Sequence, residues 1–149
     1  SEMCIRDRHF LVIAGGNNKK MQMHVEKFAA RYNGNCVIRP YGFVHNVEVM
    51  MSASDCIISK PGGLTVSEAL AKNLPMLLAD PIPGHEERNV DFLVNNGMAA
   101  LITRHFPVDE AVYELFTNPV RLETVRHTMK AVAHPDATER LADFVLALK

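Results

Sequence analysis

Short apolar runs alternate with amphipathic helical stripes along most of this chain, and that alternation limits the fold more than any other feature. Phe10-Leu11-Val12-Ile13-Ala14 is a continuous apolar run that stops at Gly15-Gly16. A run of this kind suits a strand covered on both faces. Met21, Val25, Phe28, Ala29 and Tyr32 then fall at i, i+4, i+7, i+8 and i+11, the stripe of an amphipathic helix. Asn33-Gly34-Asn35 ends it, with Gly34 expected as a left-handed cap.

The same unit recurs. Strands are expected at Cys36-Val37-Ile38, Asp55 to Ser59, Pro75 to Ala79 and Ala99 to Ile102. Helices are expected between them at Asn46 to Ser54, Thr65 to Asn73 and Glu86 to Asn96, the last closed by Gly97. After Pro107 the strands stop. Three helical stripes follow: Val108, Ala111, Val112, Leu115 and Phe116; Leu122, Val125, Met129 and Val132; Leu141, Phe144, Val145 and Leu148. Strand–helix alternation specifies an α/β fold, a Rossmann-like parallel sheet with helices on both faces. The order 2-1-3-4-5 is the natural arrangement, with a ligand crevice at the C-terminal ends of strands one and three. Residues 9–149 read as one domain. Ser1 to Arg8 is polar, lacks turn logic and reads as a leader, linker or non-native segment.

Charge excludes some functions. Sixteen Lys and Arg oppose seventeen Asp and Glu, so there is no overall basic field for a nucleic acid. Neither a secretory signal nor a membrane-spanning run is visible in the residues given. Cys4, Cys36 and Cys56 are far apart, without a CxxC pair; Cys36 and Cys56 lie beside apolar runs and suit buried thiols in a reducing, cytoplasmic setting. The seven histidines form no HxxH or HExxH pattern, so no metal is expected.

Four loops carry the chemistry. Gly15-Gly16-Asn17 follows the first strand, where glycine lets backbone approach a phosphate. A tight turn without a ligand explains it equally well. Lys60-Pro61-Gly62-Gly63-Leu64-Thr65 follows the third strand and opens a helix whose first amides suit a diphosphate. Thr65-x-x-Glu68 also fits a capping box, so Glu68 either bonds its own helix start or offers two acceptor oxygens to a ribose diol. Pro81 to Asn89 follows the fourth strand and gathers His85, Glu86 and Asn89 near a helix start. Those groups serve a hydroxyl-rich ligand, or are a solvated helix start with acids placed by the dipole. Phe43 and Val44 follow the second strand and could read a flat base through their main chain, or anchor a loop.

Taken together, Ser59-Lys60-Pro61-Gly62-Gly63 with Thr65-x-x-Glu68, then Pro81-x-Pro83-Gly84-x-Glu86-x-x-Asn89, then Gly97-x-Ala99, resemble a known arrangement. It is the C-terminal, donor-binding domain of the MurG-like glycosyltransferases of family 28. Within these, the branch of monogalactosyldiacylglycerol synthases and processive diacylglycerol glucosyltransferases is most similar. The resemblance implies a GT-B architecture of two Rossmann-like domains, of which this chain would supply the second. It implies that UDP-hexose is the donor and a membrane lipid such as diacylglycerol the acceptor. The acceptor would be reached through an N-terminal domain or subunit that also brings the catalytic base. The full enzyme would be cytoplasmic and peripheral to the membrane. Glu68 would hold the ribose, Gly16, Gly63, Leu64 and Thr65 the diphosphate, Phe43 and Val44 the uracil, and Glu86 and Asn89 the hexose. His85 stands where that branch usually carries Gln. No metal cofactor is implied, and the chain has no Asp-x-Asp motif.

Other readings are a UDP-GlcNAc 2-epimerase-like domain, which would need acidic residues from two domains, and a non-catalytic nucleotide-sugar-binding module. A dinucleotide-binding dehydrogenase lacks support: there is no GxGxxG, and no acidic residue ends the second strand at Val37-Ile38-Arg39-Pro40.

Overall fold

The structure is a computed structural model that describes residues 8–14 and 18–148. Gly15, Gly16, Asn17 and most of the expected leader lie outside the described residues. The chain divides into two compact units at Met50 and Met51.

In the first unit, β1 (His9–Ile13) and β2 (Val37–Tyr41) pair in parallel, His9 opposite Val37 and Ile13 opposite Tyr41. Bonds from Val37 N to Arg8 O and from Ala14 N to Tyr41 O, both 2.9 Å, extend the ladder at each end. Parallel strands need a crossover, and α1 (Lys19–Arg31) lies on it and packs against β2. Its start is fixed by Asn18, whose Oδ1 accepts from Met21 N at 3.1 Å.

Three expectations fail in this unit. Neither face of β1 is fully buried, because a two-stranded sheet has too little around it. Gly34 is not among the residues with a left-handed φ; α1 ends instead at Tyr32 in an extended conformation. Of the α1 stripe, only Val25 and Ala29 are half-buried, while Met21, Phe28 and Tyr32 are exposed.

In the second unit, β3 (Ile57–Ser59), β4 (Met76–Leu78) and β5 (Ala99–Leu101) form a parallel sheet in the order β3-β4-β5. The expected neighbours 2-1 and 3-4-5 are both present. Among the described residues the strands form two sheets, one in each unit. A short helix, α2 (Val47–Ser52), precedes β3. The remaining helices are α3 (Gly63–Ala71), α4 (Glu87–Asn95), α5 (Val108–Thr117), α6 (Pro119–Val132) and α7 (Ala137–Ala147).

The core sits around the middle strand. All three residues of β4 are buried. Met76 and Leu78 join one cluster with Val66 and Ala69 of α3, Val90 and Leu93 of α4, and Met129 of α6. Successive side chains alternate across a strand, so Leu77 points the other way. There it shares a cavity with Ala111 and Leu115 of α5. Both faces of β4 are thereby covered, as a near-continuous apolar strand requires. No residue of α7 is buried, so the expected stripe of Leu141, Phe144 and Val145 stays exposed. Among the described residues no helix is long and apolar enough to cross a membrane. Cys36 and Cys56 are half-buried rather than fully enclosed.

Two helices end in the same way and so feed their strands. After α4, Gly97 N bonds Val94 O at 3.0 Å and Met98 N bonds Leu93 O at 2.9 Å, with Gly97 at φ +68°. This is a Schellman ending, and Leu93 and Met98 are both fully buried in the one core cluster. After α3, Asn73 takes the same place at φ +52°, bonding Leu70 O, while Leu74 N bonds Ala69 O. Gly97→Ala would force a Cβ into the left-handed region. It is expected to cost about 1–2 kcal/mol in a denaturant melt.

Candidate functional site

In a parallel sheet the loops after the strand ends carry the site, and here those after β3 and β4 lie side by side. The loop after β3 is Lys60-Pro61-Gly62, and α3 begins at Gly63. Its first turn closes with Val66 N on Gly62 O at 2.9 Å. Gly62 is the cap residue, and no side chain caps the helix. The amides of Gly63, Leu64 and Thr65 precede the first helical bond and have no acceptor within α3. No acidic side chain stands in that first turn, so the positive end of the helix dipole is not offset from within.

This geometry bears on the capping reading of Thr65 and Glu68. Thr65 is the third residue of α3, not the residue ahead of it, so the capping box is not formed. The sequence signature is real but three residues out of register with the Gly62 cap. Glu68 is exposed, one turn beyond Leu64, which is 84% exposed. Both lie on the face turned away from the buried Val66 and Ala69. Helical side chains lean toward the N-terminus, so Glu68, in the second turn, leans toward the open first turn.

Gly63 is exposed, and a Cβ built on it would meet no atom within 4 Å. Among the described residues nothing therefore demands glycine there. Gly62 differs: its Cβ would come within 3.4 Å of Glu86 Oε1.

The loop after β4 is tied down internally. Ala79 N bonds Ser59 O at 2.9 Å, and Asp80 follows in the left-handed region at φ +47°. Its carboxylate pairs with Lys60 Nζ at 3.1 Å, so the two strand ends are also linked by charge. Both partners are half-exposed or more, which limits that pair to a small contribution. Ile82 O accepts from His85 N and Glu86 N, at 3.3 and 3.0 Å. Glu86 Oε2 accepts from Ile82 N at 2.8 Å, closing the turn through Gly84 at φ +78°. Asn89 Nδ2 donates to Pro61 O at 2.8 Å and ties α4 to the loop ahead of α3. Glu86 and Asn89 are half-buried and each holds backbone, whereas His85 is exposed.

The second unit thus gathers Lys60, Gly62, Gly63, Leu64, Thr65, Glu68, Glu86 and Asn89 at one end of its sheet. Phe43 and Val44 belong to the first unit, in the loop after β2. Phe43 is 65% exposed and meets His45 edge-on at 4.7 Å. A Cβ on the preceding Gly42 would come within 2.7 Å of Gln22 Oε1 of α1, the end of a flexible side chain that would have to swing aside. Sequence reasoning missed Asp80: a residue before proline is normally pushed to extended backbone, which hides a left-handed turn. It also missed the Pro61 carbonyl as a partner for Asn89. Among the described residues no group of three or more His, Cys, Asp or Glu is placed to hold a metal.

Residues 2–141 match the glycosyltransferase family 28 C-terminal domain. The chain is 28% identical over 147 residues to a processive diacylglycerol beta-glucosyltransferase of Bacillus cereus (strain AH187), covering 99% of this chain and 37% of that protein. It is 29% identical over 129 residues to a protein of the same name from Bacillus licheniformis, covering 87% and 33%. The chain spans about a third of the length of these curated relatives. MurG of Acinetobacter baumannii superposes with a TM-score of 0.67 at 22% identity, over 93% of this chain and 49% of that one. A Streptomyces sp. SF2575 glycosyltransferase complexed with thymidine diphosphate superposes at 0.58 and 15% identity, over 93% and 41%. Parallel sheets flanked by helices, with these neighbours, are the Rossmann-like C-terminal half of the GT-B fold. The chain belongs to the glycosyltransferase family 28 C-terminal domains.

Proposed function

We propose that this domain holds the donor, a UDP-hexose, for an inverting transferase that passes the hexose to a membrane lipid such as diacylglycerol. The observation that carries the reading is the start of α3: amides without a helical acceptor, no capping side chain, an exposed glycine and Glu68 beside them. In this reading the diphosphate lies on the amides of Gly63, Leu64 and Thr65. Glu68 takes the ribose hydroxyls with its two oxygens. Glu86 and Asn89 fix the loop that faces the hexose, and His85 stands exposed at its tip.

As the bond to the hexose breaks, negative charge grows on the departing UDP. Prealigned amides and the helix dipole stabilise that charge without reorganising. Lys60, held by Asp80, adds a positive charge at the same strand end. The catalytic base and the acceptor site would come from an N-terminal domain or subunit, and the assembled enzyme would work at the cytoplasmic membrane face. The names of the Bacillus relatives support diacylglycerol as the acceptor class.

The test is transfer of labelled glucose from UDP-glucose to diacylglycerol vesicles by this domain joined to its acceptor domain. A glucolipid product is expected; release of an epimerised sugar, or no transfer by the folded two-domain protein, would overturn the reading. Because amides carry the charge, EDTA is expected to leave UDP affinity of this domain unchanged within about twofold. A large loss would mean that a metal takes part in donor binding.

A further inference from the structure

The half of α1 that fails to bury points to a use of its own. Val25 and Ala29 are half-buried, as is Gln22, which lies against Gly42 of the same unit. Beside that face, Met21 is 48% and Phe28 56% exposed, with Phe28 next to the ring of Tyr32 at 6.0 Å. Next around the helix come Lys20, His24, Lys27 and Arg31, at i, i+4, i+7 and i+11, all exposed. Among the described residues none of these four is in an ion pair. The one acid of α1, Glu26, lies on the far side and accepts from Gln22 Nε2 at 2.9 Å.

Charge is skewed the same way. The first fifty residues hold seven Lys and Arg against four Asp and Glu, and the remainder nine against thirteen. A row of exposed apolar side chains bordered by a row of cations is the signature of a helix that lies in a lipid headgroup layer. A soluble polyanion would use the cations but not Met21 and Phe28.

We propose that α1 is a membrane-contact helix: Lys20, Lys27 and Arg31 meet anionic headgroups while Met21 and Phe28 enter the acyl boundary. This places a lipid contact on the donor-side domain itself, independent of any acceptor domain. It does not depend on the UDP reading, and the experiment keeps the two apart. The 149-residue protein is sedimented with phosphatidylcholine vesicles, alone or with about one-third phosphatidylglycerol.

Binding is expected to the anionic vesicles only, and to weaken as salt is raised. Lys20→Gln/Lys27→Gln/Arg31→Gln should lower it at least about tenfold, and Phe28→Ser about fivefold. Lys20→Glu/Lys27→Glu serves as a second charge variant should the first melt early. Each variant should keep its UDP affinity, so failure of one reading is visible without the other. Equal binding to neutral vesicles, no binding, or binding unchanged in the folded charge variants would overturn the proposal. Loss in the charge variants with no effect of Phe28→Ser would also overturn it, and would indicate attraction to headgroup charge alone.

Discussion

Glu68→Ala is expected to weaken UDP binding by about 1–3 kcal/mol, roughly five- to 150-fold, while leaving the unfolding midpoint where it was. The two halves of that expectation have separate origins. A ribose diol held by a carboxylate loses a charge-assisted partner when the side chain is cut back, and its hydroxyls are left facing a surface shaped for an anion. Stability should stay within about 0.5 kcal/mol, because Glu68 is exposed on the second turn of α3 and caps nothing. A capping role would give the reverse pattern: a loss of about 0.5–2 kcal/mol in folding and none in binding. Calorimetry and a denaturant melt on the same two proteins separate the cases.

Gly63→Val is expected to abolish measurable UDP binding, a loss of at least about a hundredfold, in a protein that still folds. Among the described residues a Cβ at Gly63 meets no atom within 4 Å outside its own helix and chain neighbours, so the site tolerates a side chain. The intrinsic cost of valine in a helix is a few tenths of a kcal/mol relative to most residues, and glycine is a poorer helix residue still. The folded state should therefore be as stable as the parent, or slightly more so. What the methyls would meet is a diphosphate lying on the amides of the first turn. Gly63→Ala should give an intermediate loss of about tenfold. Unchanged affinity in both variants would mean that the diphosphate lies elsewhere. Gly97→Ala is the control for glycine chemistry of another kind, since its cost lies in backbone conformation at φ +68°.

Much of the fold was legible because β4 is apolar at every position and the helices around it repeat at helical spacing. Order and handedness then follow from few choices. Boundaries were less legible. α3 starts at Gly63 rather than Thr65, since a glycine can occupy the cap position without a capping side chain to announce it. The Thr65-x-x-Glu68 pattern pointed to a cap because a spacing rule carries no information on where the helix begins. Periodicity also says that a helix has an apolar face but not what covers it. Both α1 and α7 therefore looked like core helices, while Phe28 and Phe144 are 56% and 62% exposed.

Of the site, the glycine pair after β3 and the position of Glu68 were readable, because both sit within one strand–loop–helix unit. The Asn89 to Pro61 bond joins residues 28 apart, and no local pattern reports it. Asp80 was hidden for the opposite reason: the local rule at a residue before proline points to extended backbone, whereas here φ is +47°. Its contact with Lys60 depends on β3 and β4 being neighbours, which becomes visible only once the sheet is formed.

The most direct test of the donor reading is a calorimetric titration of the 149-residue protein with UDP, with AMP and NAD as parallel titrants. UDP is expected to bind with one site per chain, and AMP and NAD at least about tenfold more weakly, because AMP lacks the second phosphate and both carry adenine in place of uracil. Equal binding of all three, or no heat with UDP from a sample shown to be folded, would contradict the assignment of the α3 start as a UDP-sugar site.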